Sequence, residues 1–428
     1  MFEAISNKFN NYLLDFKKVK DRKSVVAWII YDIANTLFYA GVVGLILPLW
    51  ITKMHPGGDK EYSIAIQIAM IIIIIASPLI GTLMDQVSQK KTYLLIFTGI
   101  SILGTMFLIT MQNFTLTLTI FTISFVFLNF AGIIYNSLLK NITSNTNRGL
   151  IGGLGIAIGY IGSLIVILAS LLLNQNEENY SILFPFLAIC ILITTIPMGL
   201  FFKETNVIKT TTINSIGNGI KELFESLMKL KSNKNLLWFF ISRLTYMIGI
   251  MMASTYISFY GIETVGLDTR SIQIIFLVGI IVSIPGAFFW GIISDIIKPW
   301  KTILILLMGW ILIYLAIALL PILDLPKYYW LIFTIITGFL YGGIWAADRP
   351  LAIELSNSKE ISKTFGIYTL VARIAFLIGS FIWWISSDTI VSIGKSPTGQ
   401  PLPIFIVGAI TIISIIFLFQ ISLRSKNN

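Results

Sequence analysis

Long apolar stretches recur along the chain and constrain its fold more than any other feature of the sequence. The first, AWIIYDIANTLFYAGVVGLILPLW at 27–50, is long enough to cross a bilayer, and similar stretches follow it. About 20 apolar residues span the hydrocarbon core as an α-helix, since lipid offers no partners to backbone polar groups. Only 12% of the 428 residues are charged, against about 25% in a typical soluble domain. The sequence therefore predicts an all-α polytopic membrane protein.

Turn and charge signals divide these stretches into twelve predicted transmembrane helices. The breaks, such as KMHPGGDKE, DQVSQKK and SIGKSPTGQP, combine charged residues with Pro, Gly, Ser or Gln, as loops between helices do. The predicted helices cover residues 26–52, 61–84, 92–112, 115–139, 149–173, 181–202, 235–260, 270–294, 301–321, 328–354, 361–387 and 402–423.

The distribution of Lys and Arg predicts the orientation of the chain. If the N-terminus lies in the cytoplasm, 22 of the 30 Lys and Arg residues fall in cytoplasmic segments and 5 in outer segments. Because cytoplasmic loops carry the excess of Lys and Arg in membrane proteins, both termini are predicted to be cytoplasmic. The same distribution explains the net charge of +10, so we expect no nucleic-acid partner.

The longest polar connection divides the chain near its middle. Residues 203–234 form this predicted cytoplasmic linker, and residues 1–25 form a cytoplasmic arm. Each contains apolar residues at helical spacing opposite lysines, the pattern of an amphipathic helix on a membrane surface; docking of a partner is the alternative. The predicted domains are then two six-helix bundles, 26–202 and 235–423, followed by a cytoplasmic tail, 424–428.

The two predicted bundles share a motif at the ends of their second helices. It comprises Gly81, Asp85 and Lys90 in the first bundle and Gly291, Asp295 and Lys298 in the second. An aspartate at a helix C-terminus is disfavoured by the helix dipole, so it needs a nearby cation. Such contacts can form in one conformation and break in another, and we interpret the motif as a gating latch.

The stretch GTLMDQVSQKK resembles the cytoplasmic loop motif of the major facilitator superfamily, although Gln86, Ser88 and Gln89 replace its arginine, glycine and arginine. Three further stretches, WIIYDIANTLFY, YNSLLKNITSNTNRGLIGGLGIAIGYIGS and GGIWAADRPLAIELSNSKEISKTFGIYTL, are similar to the vacuole-effluxer branch, the autophagy-related amino-acid effluxers. The resemblance implies two pseudo-symmetric six-helix bundles, alternating access and efflux of small solutes. We expect a monomer in a bacterial plasma membrane.

Ionisable side chains inside the predicted helices are few, and four of them lie at a similar depth. Outside the first turn of each predicted helix, the six are Asp32, Arg243, Asp348, Arg349, Glu354 and Arg373. A charge at a helix centre costs about 2.5–3.5 kcal/mol on insertion scales, so it usually faces a partner or a wet cavity. From the rise of a helix, the first four lie roughly 9–12 Å from the cytoplasmic boundary. We therefore expect Asp32 to meet Arg243 or Arg349 in a polar layer between the bundles.

This predicted layer has two interpretations that can coexist. In the first, Asp32 pairs with an arginine and closes an inner gate. In the second, the layer binds a zwitterion, with Asp32 holding its cationic group and Arg243 or Arg349 its anionic group; Asp32 or Asp348 is then the candidate carrier of a coupling proton. The candidate substrate-binding or coupling residues are Asp32, Asn35, Thr36, Tyr39, Arg243, Tyr246, Asp348, Arg349 and Arg373.

These features favour a secondary active transporter that moves a small polar or zwitterionic solute, amino-acid-like, by alternating access. A lipid or amphiphile exporter of the same fold, and a non-transporting receptor or scaffold, are the alternatives. One histidine and one cysteine give little material for a catalytic pair or a metal cluster, so we expect no enzyme, no metal and no cofactor. The expected partners are the solute, a proton and membrane lipid.

Overall fold

A computed structural model describes most of the chain and shows helices throughout. The described residues are 21–87, 89–108, 113–143, 148–173, 180–204, 228, 230–356, 361–387 and 396–425. Within these ranges the regular elements are all helical. Most of the predicted N-terminal arm, most of the linker and the last residues of the tail lie outside the described residues, so the predicted domain boundaries stay predictions.

Twelve helical stretches occur in the described residues, which confirms the number and order predicted from the sequence. They are α1 Arg22–Met54, α2 Asp59–Gln86, α3 Lys90–Phe107, α4 Phe114–Ile142, α5 Arg148–Leu173, α6 Tyr180–Phe201, α7 Lys234–Thr264, α8 Thr269–Ile297, α9 Pro299–Ile322, α10 Tyr329–Glu354, α11 Ile361–Ser386 and α12 Pro401–Ser425.

Eleven of these helices contain described stretches long and apolar enough to cross a membrane. The chain is therefore an integral multi-pass membrane protein. The helix outside this set is α3, which begins with Lys90 and Lys91 and has 18 residues. Two lysines in a helix this short lower its apolar content, so the twelfth span stays a prediction.

Helix α1 changes its hydrogen-bond pattern along its length. It is α-helical over Arg22–Thr36, π-helical over Leu37–Ile46 and α-helical again over Leu47–Met54. Pro48 follows the π-helical segment and has no N–H, so a carbonyl about one turn earlier loses its helical donor. Side chains supply donors there: the Tyr62 hydroxyl donates to the Val43 carbonyl at 2.6 Å. The Ser258 hydroxyl donates to the Gly44 carbonyl at 3.1 Å.

Contacts divide the chain into two compact units. Unit 1 comprises Met1–Val42 and Ile75–Gly219, and unit 2 comprises Val43–Ile74 and Ile220–Asn428. The division falls inside the π-helical segment of α1 and inside α2. The segment Val43–Ile74 therefore follows unit 1 in sequence but packs within unit 2.

In unit 1, helix ends are joined by polar contacts near the start of α1. Asp21 caps α1 by accepting from the Ser24 backbone N–H. The Ser24 hydroxyl also donates to the Asp21 carboxylate at 2.6 Å and accepts from the Lys203 N–H at 2.8 Å. This hydroxyl lowers the pKa of the Asp21 carboxyl. The start of α1 is thus tied to the residues that follow α6.

In unit 2, α7 packs on α11 and α12, and α8 packs closely on α10. A Cβ at Gly338 or Gly342 of α10 would collide with the backbone of α8 at Gly279 or Ser283. These glycines therefore permit a close backbone approach, as small residues do between membrane helices.

The loops that join α7 to α8, α9 to α10 and α11 to α12 meet at one end of unit 2. After α7, Gly266 accepts a hydrogen bond from Lys327, which lies between α9 and α10. Gln400, just before α12, donates to Glu263 at the end of α7 with a length of 2.6 Å. This agrees with helices that cross the same layer in alternating directions.

Candidate functional site

A buried ion pair joins α7 to α10. The Nε of Arg243 lies 2.9 Å from Oδ2 of Asp348, and both side chains are 0% exposed. A buried charge persists only with a close counter-charge and hydrogen bonds, because desolvation of either ion alone costs several kcal/mol. The pair therefore fixes the relative position of α7 and α10 inside the hydrocarbon-spanning region.

Two tyrosines complete the surroundings of this pair. The Tyr246 hydroxyl donates to Oδ1 of Asp348 at 2.6 Å, and the Tyr368 hydroxyl of α11 donates to Oδ2 at 2.6 Å. The Tyr368 carbonyl accepts from Nη1 of Arg243 at 2.7 Å, and the guanidinium carbon lies 3.4 Å from the centroid of the Tyr368 ring. We call Arg243, Tyr246, Asp348 and Tyr368 the arginine cage. It links three helices through one carboxylate and one guanidinium.

One nitrogen of the arginine cage, Nη2 of Arg243, has no hydrogen-bond partner in the structure. It is buried, and Nε of Arg349, the residue after Asp348, is also buried without a partner. A guanidinium carries five N–H donors, and buried polar groups without a partner are rare in folded proteins. Guanidinium donors pair best with carboxylate or phosphate groups. The leftover donor is therefore suited to an anionic group of a ligand.

The partner of Arg243 differs from the one that sequence reasoning chose. We expected Asp32 to meet Arg243 or Arg349, and the ion pair that Arg243 makes is with Asp348. Arg243 and Tyr246 are one turn apart on α7, so both side chains reach the same carboxylate on α10. The sequence placed Arg243 and Asp348 in the same predicted layer, but a shared depth does not say which helices are neighbours.

Tyr368 was missed by sequence reasoning. It lies in an apolar helix next to Thr369, and a tyrosine hydroxyl in such a helix is a weak signal. Nothing in the sequence indicates that its carbonyl and its ring both contact Arg243.

Asp32 of unit 1 has a different environment from Asp348. Its side chain is half-buried, and the Asn35 amide donates to its Oδ1 at 3.3 Å. Thr36 donates instead to the Asp32 backbone carbonyl at 3.0 Å. Tyr39 is 40% exposed, and its hydroxyl donates to Asn129 of α4 at 2.9 Å. The predicted polar face of α1 therefore exists, with an amide beside the carboxylate.

Glycines of α5 make room for the Asp32 carboxylate. An ideal Cβ at Gly155 would lie 3.5 Å from Oδ2 of Asp32, and a Cβ at Gly159 would lie 3.3 Å from it. A Cβ at Gly162 would lie 2.7 Å from the backbone oxygen of Ile33. The glycines of α5 thus allow close helix packing, and two of them border the acid.

The remaining ionisable residues of the predicted helices occupy other positions in unit 2. Arg349 of α10 and Arg373 of α11 are half-buried, and Glu354 is exposed at the end of α10.

The predicted gating motif is described only in part. The side chain of Asp85 lies outside the described residues, so its contact with Lys90 stays a prediction. Gly291 is half-buried, and Asp295 and Lys298 are exposed. Lys298 adopts a positive φ of 80° between α8 and α9, a conformation uncommon for a residue other than glycine.

An acid that sequence reasoning missed lies at the start of α3. Glu204 accepts from the backbone N–H of Lys90 at 2.6 Å and from that of Lys91 at 3.3 Å. Lys91 Nζ donates to the carbonyls of Gly199 and Phe202 near the end of α6, each at 3.1 Å. Each charge thus faces the helix end that its sign favours. Burial raises the pKa of Glu204, opposed by the two N–H donors.

Metal-binding side chains do not cluster in the parts of the chain that the structure describes. No group of three His, Cys, Asp or Glu residues lies close enough there to hold a metal ion.

Comparison with known proteins gives a consistent result. The sequence model of the Major Facilitator Superfamily matches residues 26–380. An uncharacterized MFS-type transporter, YxiO of Bacillus subtilis (strain 168), is 24% identical over 406 residues, covering 90% of this chain and 92% of its own. An uncharacterized protein of Aquifex aeolicus (strain VF5) is 25% identical over 372 residues, covering 85% of this chain and 89% of its own.

Two solved structures show a similar fold at low identity. A bacterial homolog of the human lysosomal transporter Spinster, in an inward-facing and unoccupied conformation, aligns with a TM-score of 0.66 at 13% identity over 94% of this chain and 95% of its own. The nucleoside transporter NupG aligns with a TM-score of 0.67 at 11% identity over 93% of this chain and 99% of its own.

Proposed function

The chain belongs to the Major Facilitator Superfamily, and from this premise we propose that it is a secondary active transporter of a small zwitterionic, amino-acid-like solute. Members of the family are transporters that act on small-molecule substrates, not enzymes. The observation that carries the proposal is the buried Nη2 of Arg243, a guanidinium donor without a partner. An anionic group of the solute would supply that partner.

Each unit offers one charged group, and a zwitterion carries a counter-charge for each of them. Unit 2 offers Nη2 of Arg243, held in place by the contacts of Arg243 with Asp348 and Tyr368. Unit 1 offers the half-buried Asp32 carboxylate with its Asn35 neighbour. A sugar or a nucleoside carries neither charge, so it would supply no anionic group to Nη2 of Arg243 and no cationic group to Asp32.

The arginine cage also supports one choice of proton carrier. Both oxygens of Asp348 accept hydrogen bonds, from Arg243, Tyr246 and Tyr368. A proton carrier must gain and lose a proton during transport, and at Asp348 this would disrupt three contacts. Asp32 is half-buried, so its carboxylate can exchange a proton with water, and we propose Asp32 as the coupling acid. The resemblance to effluxers supports export as the direction.

The first experiment identifies the solute. Purified protein is screened by thermal shift with amino acids, short peptides, sugars, nucleosides and lipids, and each hit is tested for uptake in proteoliposomes with and without a pH gradient. We expect hits among the amino acids and peptides. Hits restricted to nucleosides or to lipids would contradict the zwitterion proposal, and transport that ignores collapse of the pH gradient would contradict proton coupling.

The second experiment tests the site with matched variants. Asp32→Asn and Arg243→Gln are each expected to lower transport of the hit by about tenfold or more, equivalent to about 1.4 kcal/mol of lost stabilisation. Arg243→Lys keeps the charge and controls for loss of the ion pair. Glu354→Gln, at an exposed carboxyl group, is expected to transport at the wild-type rate. Wild-type rates in both Asp32→Asn and Arg243→Gln would refute the site.

A further inference from the structure

A cavity lies at the end of unit 2 where the loops that join α7 to α8, α9 to α10 and α11 to α12 meet. Its volume is about 500 Å³, within the range of pockets that hold small molecules in proteins. Buried side chains of Thr264, Leu320 and Pro321 form part of its wall, and the half-buried Glu263 lines it as well. We call this space the loop cavity. Its described lining residues do not include those proposed above to bind the solute.

Glu263 is held in the wall of the loop cavity by two neutral groups. Its Oε2 accepts a hydrogen bond of 2.6 Å from the side-chain amide of Gln400. Its Oε1 accepts one of 3.4 Å from the backbone N–H of Gly57. An ionised carboxylate has about four acceptor sites, so further donors can bind to it. Because both donors are uncharged, neither balances the negative charge of Glu263.

A short chain of buried hydrogen bonds orients the Gln400 amide. The Thr264 hydroxyl donates to Oε1 of Gln400 at 2.6 Å, and it lies 2.6 Å from the Thr398 hydroxyl. Gln400 and Thr264 are each 3% exposed. With its carbonyl oxygen used by Thr264, the amide presents its NH₂ group to Glu263. The carboxylate is therefore positioned in advance, which lowers the entropy cost of binding a ligand.

A second acid lies close to Glu263 but is bonded elsewhere. Asp59 follows Gly57 by two residues, and its charge interacts with that of Glu263. It is 5% exposed, and its Oδ2 accepts a hydrogen bond of 2.7 Å from the indole N–H of Trp383 on α11. Asp59 also begins α2, where the helix dipole favours a negative charge. It adds negative potential beside the loop cavity, and Glu263 is the acid that lines it.

The rim of the loop cavity carries one charge of each sign. Asp324 and Lys327 line it and are both exposed. The Lys327 ammonium group donates to the backbone carbonyl of Gly266, so its hydrogen bond is to a neutral group at the rim. The interior of the cavity thus presents a carboxylate beside the apolar side chains of Leu320 and Pro321.

We propose that the loop cavity is a binding site for a small organic amine. The ammonium group of the amine donates to Glu263, and its apolar body packs against Leu320 and Pro321. A hydrogen bond between an ionised donor and a carboxylate is about twice as strong as one between neutral groups. The amine supplies the positive charge that the two neutral donors of Glu263 do not. This site differs from the zwitterion site in its position and in requiring only one ligand charge.

Protection from thiol labelling tests the proposal with simple amines as probes. Cys190 is the single cysteine of the chain, so Cys190→Ser provides a background without thiols. Leu325→Cys then places a reporter at a residue that lines the loop cavity and is 40% exposed. The purified protein is treated with a maleimide in the presence of butylamine, cyclohexylmethylamine or phenethylamine. The uncharged alcohol of the same carbon skeleton is the control for each amine. At least one amine should slow labelling about tenfold near ten times its Kd, and its alcohol should not.

Variants of the wall and the rim separate charge from shape. Glu263→Gln keeps an acceptor for Gln400 but removes the charge. It should weaken binding of the protecting amine about tenfold or more, as expected for loss of a hydrogen bond to a charged group. Lys327→Gln removes the rim cation and should keep the protection. Pro397→Trp enlarges an exposed rim residue and should prevent protection by filling the cavity. This variant leaves the hydrogen bonds of Glu263 in place, so it tests the site even where Glu263→Gln does not fold.

Phenylalanine, which adds a carboxylate to the skeleton of phenethylamine, tests whether the loop cavity binds a zwitterion instead. Protection by phenylalanine and by none of the three amines would overturn the proposal. So would the absence of any protection, full protection in Glu263→Gln, or its loss in Lys327→Gln. Asp32→Asn should keep the protection, because Asp32 is not among the described residues that line the cavity. The amine site and the proposed transport site therefore fail separately.

Discussion

The two units place their charges in opposite ways. Unit 2 buries a complete ion pair, Arg243 with Asp348, among three helices. Unit 1 places paired charges at helix ends, where Glu204 meets the start of α3 and Lys91 meets the end of α6. Its interior acid, Asp32, stays half-buried. The difference suggests that unit 2 presents a fixed charge and unit 1 presents one that can exchange partners.

The energetic consequence of this difference is also opposite. A buried ion pair adds little stability over apolar packing, but loss of one partner leaves a charge that has no solvent. A half-buried acid loses less on neutralisation, because water already shares in its solvation. Substitutions in the arginine cage should therefore act on folding as well as on transport, and those around Asp32 mainly on transport.

The largest effect is expected from Asp348→Ala. It leaves the Arg243 guanidinium buried, and the cost is expected to be about 3–5 kcal/mol. Thermal unfolding of the purified protein in detergent measures the loss. Glu354→Ala, on the exposed end of the same helix, controls for loss of a carboxylate and should unfold like the wild type.

A double variant shows whether charge is the cause. Replacing Arg243 by Met together with Asp348 by Leu removes both ions, and it should recover much of the stability lost in Asp348→Ala, because no uncompensated charge remains. An Asp348→Ala protein as stable as the wild type would mean that the buried pair does not fix unit 2.

The next largest effect is expected from Gly159→Ala in unit 1. Its Cβ would lie 2.9 Å from the Thr36 hydroxyl and 3.3 Å from the Asp32 carboxylate, and overpacking of this kind costs about 1–3 kcal/mol. Transport should fall as well, since the acid must move. Gly153→Ala on the same helix, with nothing within 4 Å of its Cβ, is the matched control and should keep wild-type transport. Equal behaviour of the two variants would show that α5 does not confine Asp32.

A smaller effect is expected from Tyr246→Phe. It removes the donor to Oδ1 of Asp348 and keeps the ring, so the expected cost is about 1 kcal/mol. Tyr328→Phe, at a side chain that is 63% exposed, should leave thermal stability unchanged. The cost of Tyr246→Phe should disappear when Asp348 is already Ala. A cost that persists in that background would locate the effect outside the arginine cage.

Much of the fold could be predicted from the sequence because apolar length and loop charge act locally. Twelve helices follow from apolar runs and turn signals, and the observed ends differ from the predicted ones by five residues or fewer. The π-helical segment of α1 was not predicted, because Pro48 and the preceding glycines, Gly41 and Gly44, are compatible with an ordinary helix. Placement of Val43–Ile74 in unit 2 depends on contacts made hundreds of residues later.

The site could be predicted only as a set of residues. Rarity of charge in apolar helices identified Asp32, Arg243 and Asp348, which the structure shows in well-defined surroundings. Pairing depends on helix neighbours and rotation, and a periodic pattern leaves both undetermined. Tyr368 and Trp383 lacked any signal, because an aromatic residue in a membrane helix packs against lipid or protein far more often than it bonds a carboxylate.

The smallest effect is expected from two carboxyl groups at helix ends of unit 1, Glu204 and Asp21, and concerns how stability depends on pH. Burial raises the pKa of Glu204 in the folded protein. The unfolded chain then releases this proton at lower pH than the folded one, so stability falls as pH rises from the unfolded pKa through the folded one. Asp21 has the opposite sign, because the Ser24 hydroxyl lowers its pKa; its contribution is lost as pH falls through the folded pKa. Thermal unfolding is measured between about pH 3 and pH 7. Glu204→Gln should weaken the fall in stability that accompanies rising pH, and Asp21→Asn should weaken the rise in stability that accompanies rising pH. Parallel curves for both variants and the wild type would mean that neither carboxyl group has a different pKa in the folded and unfolded states.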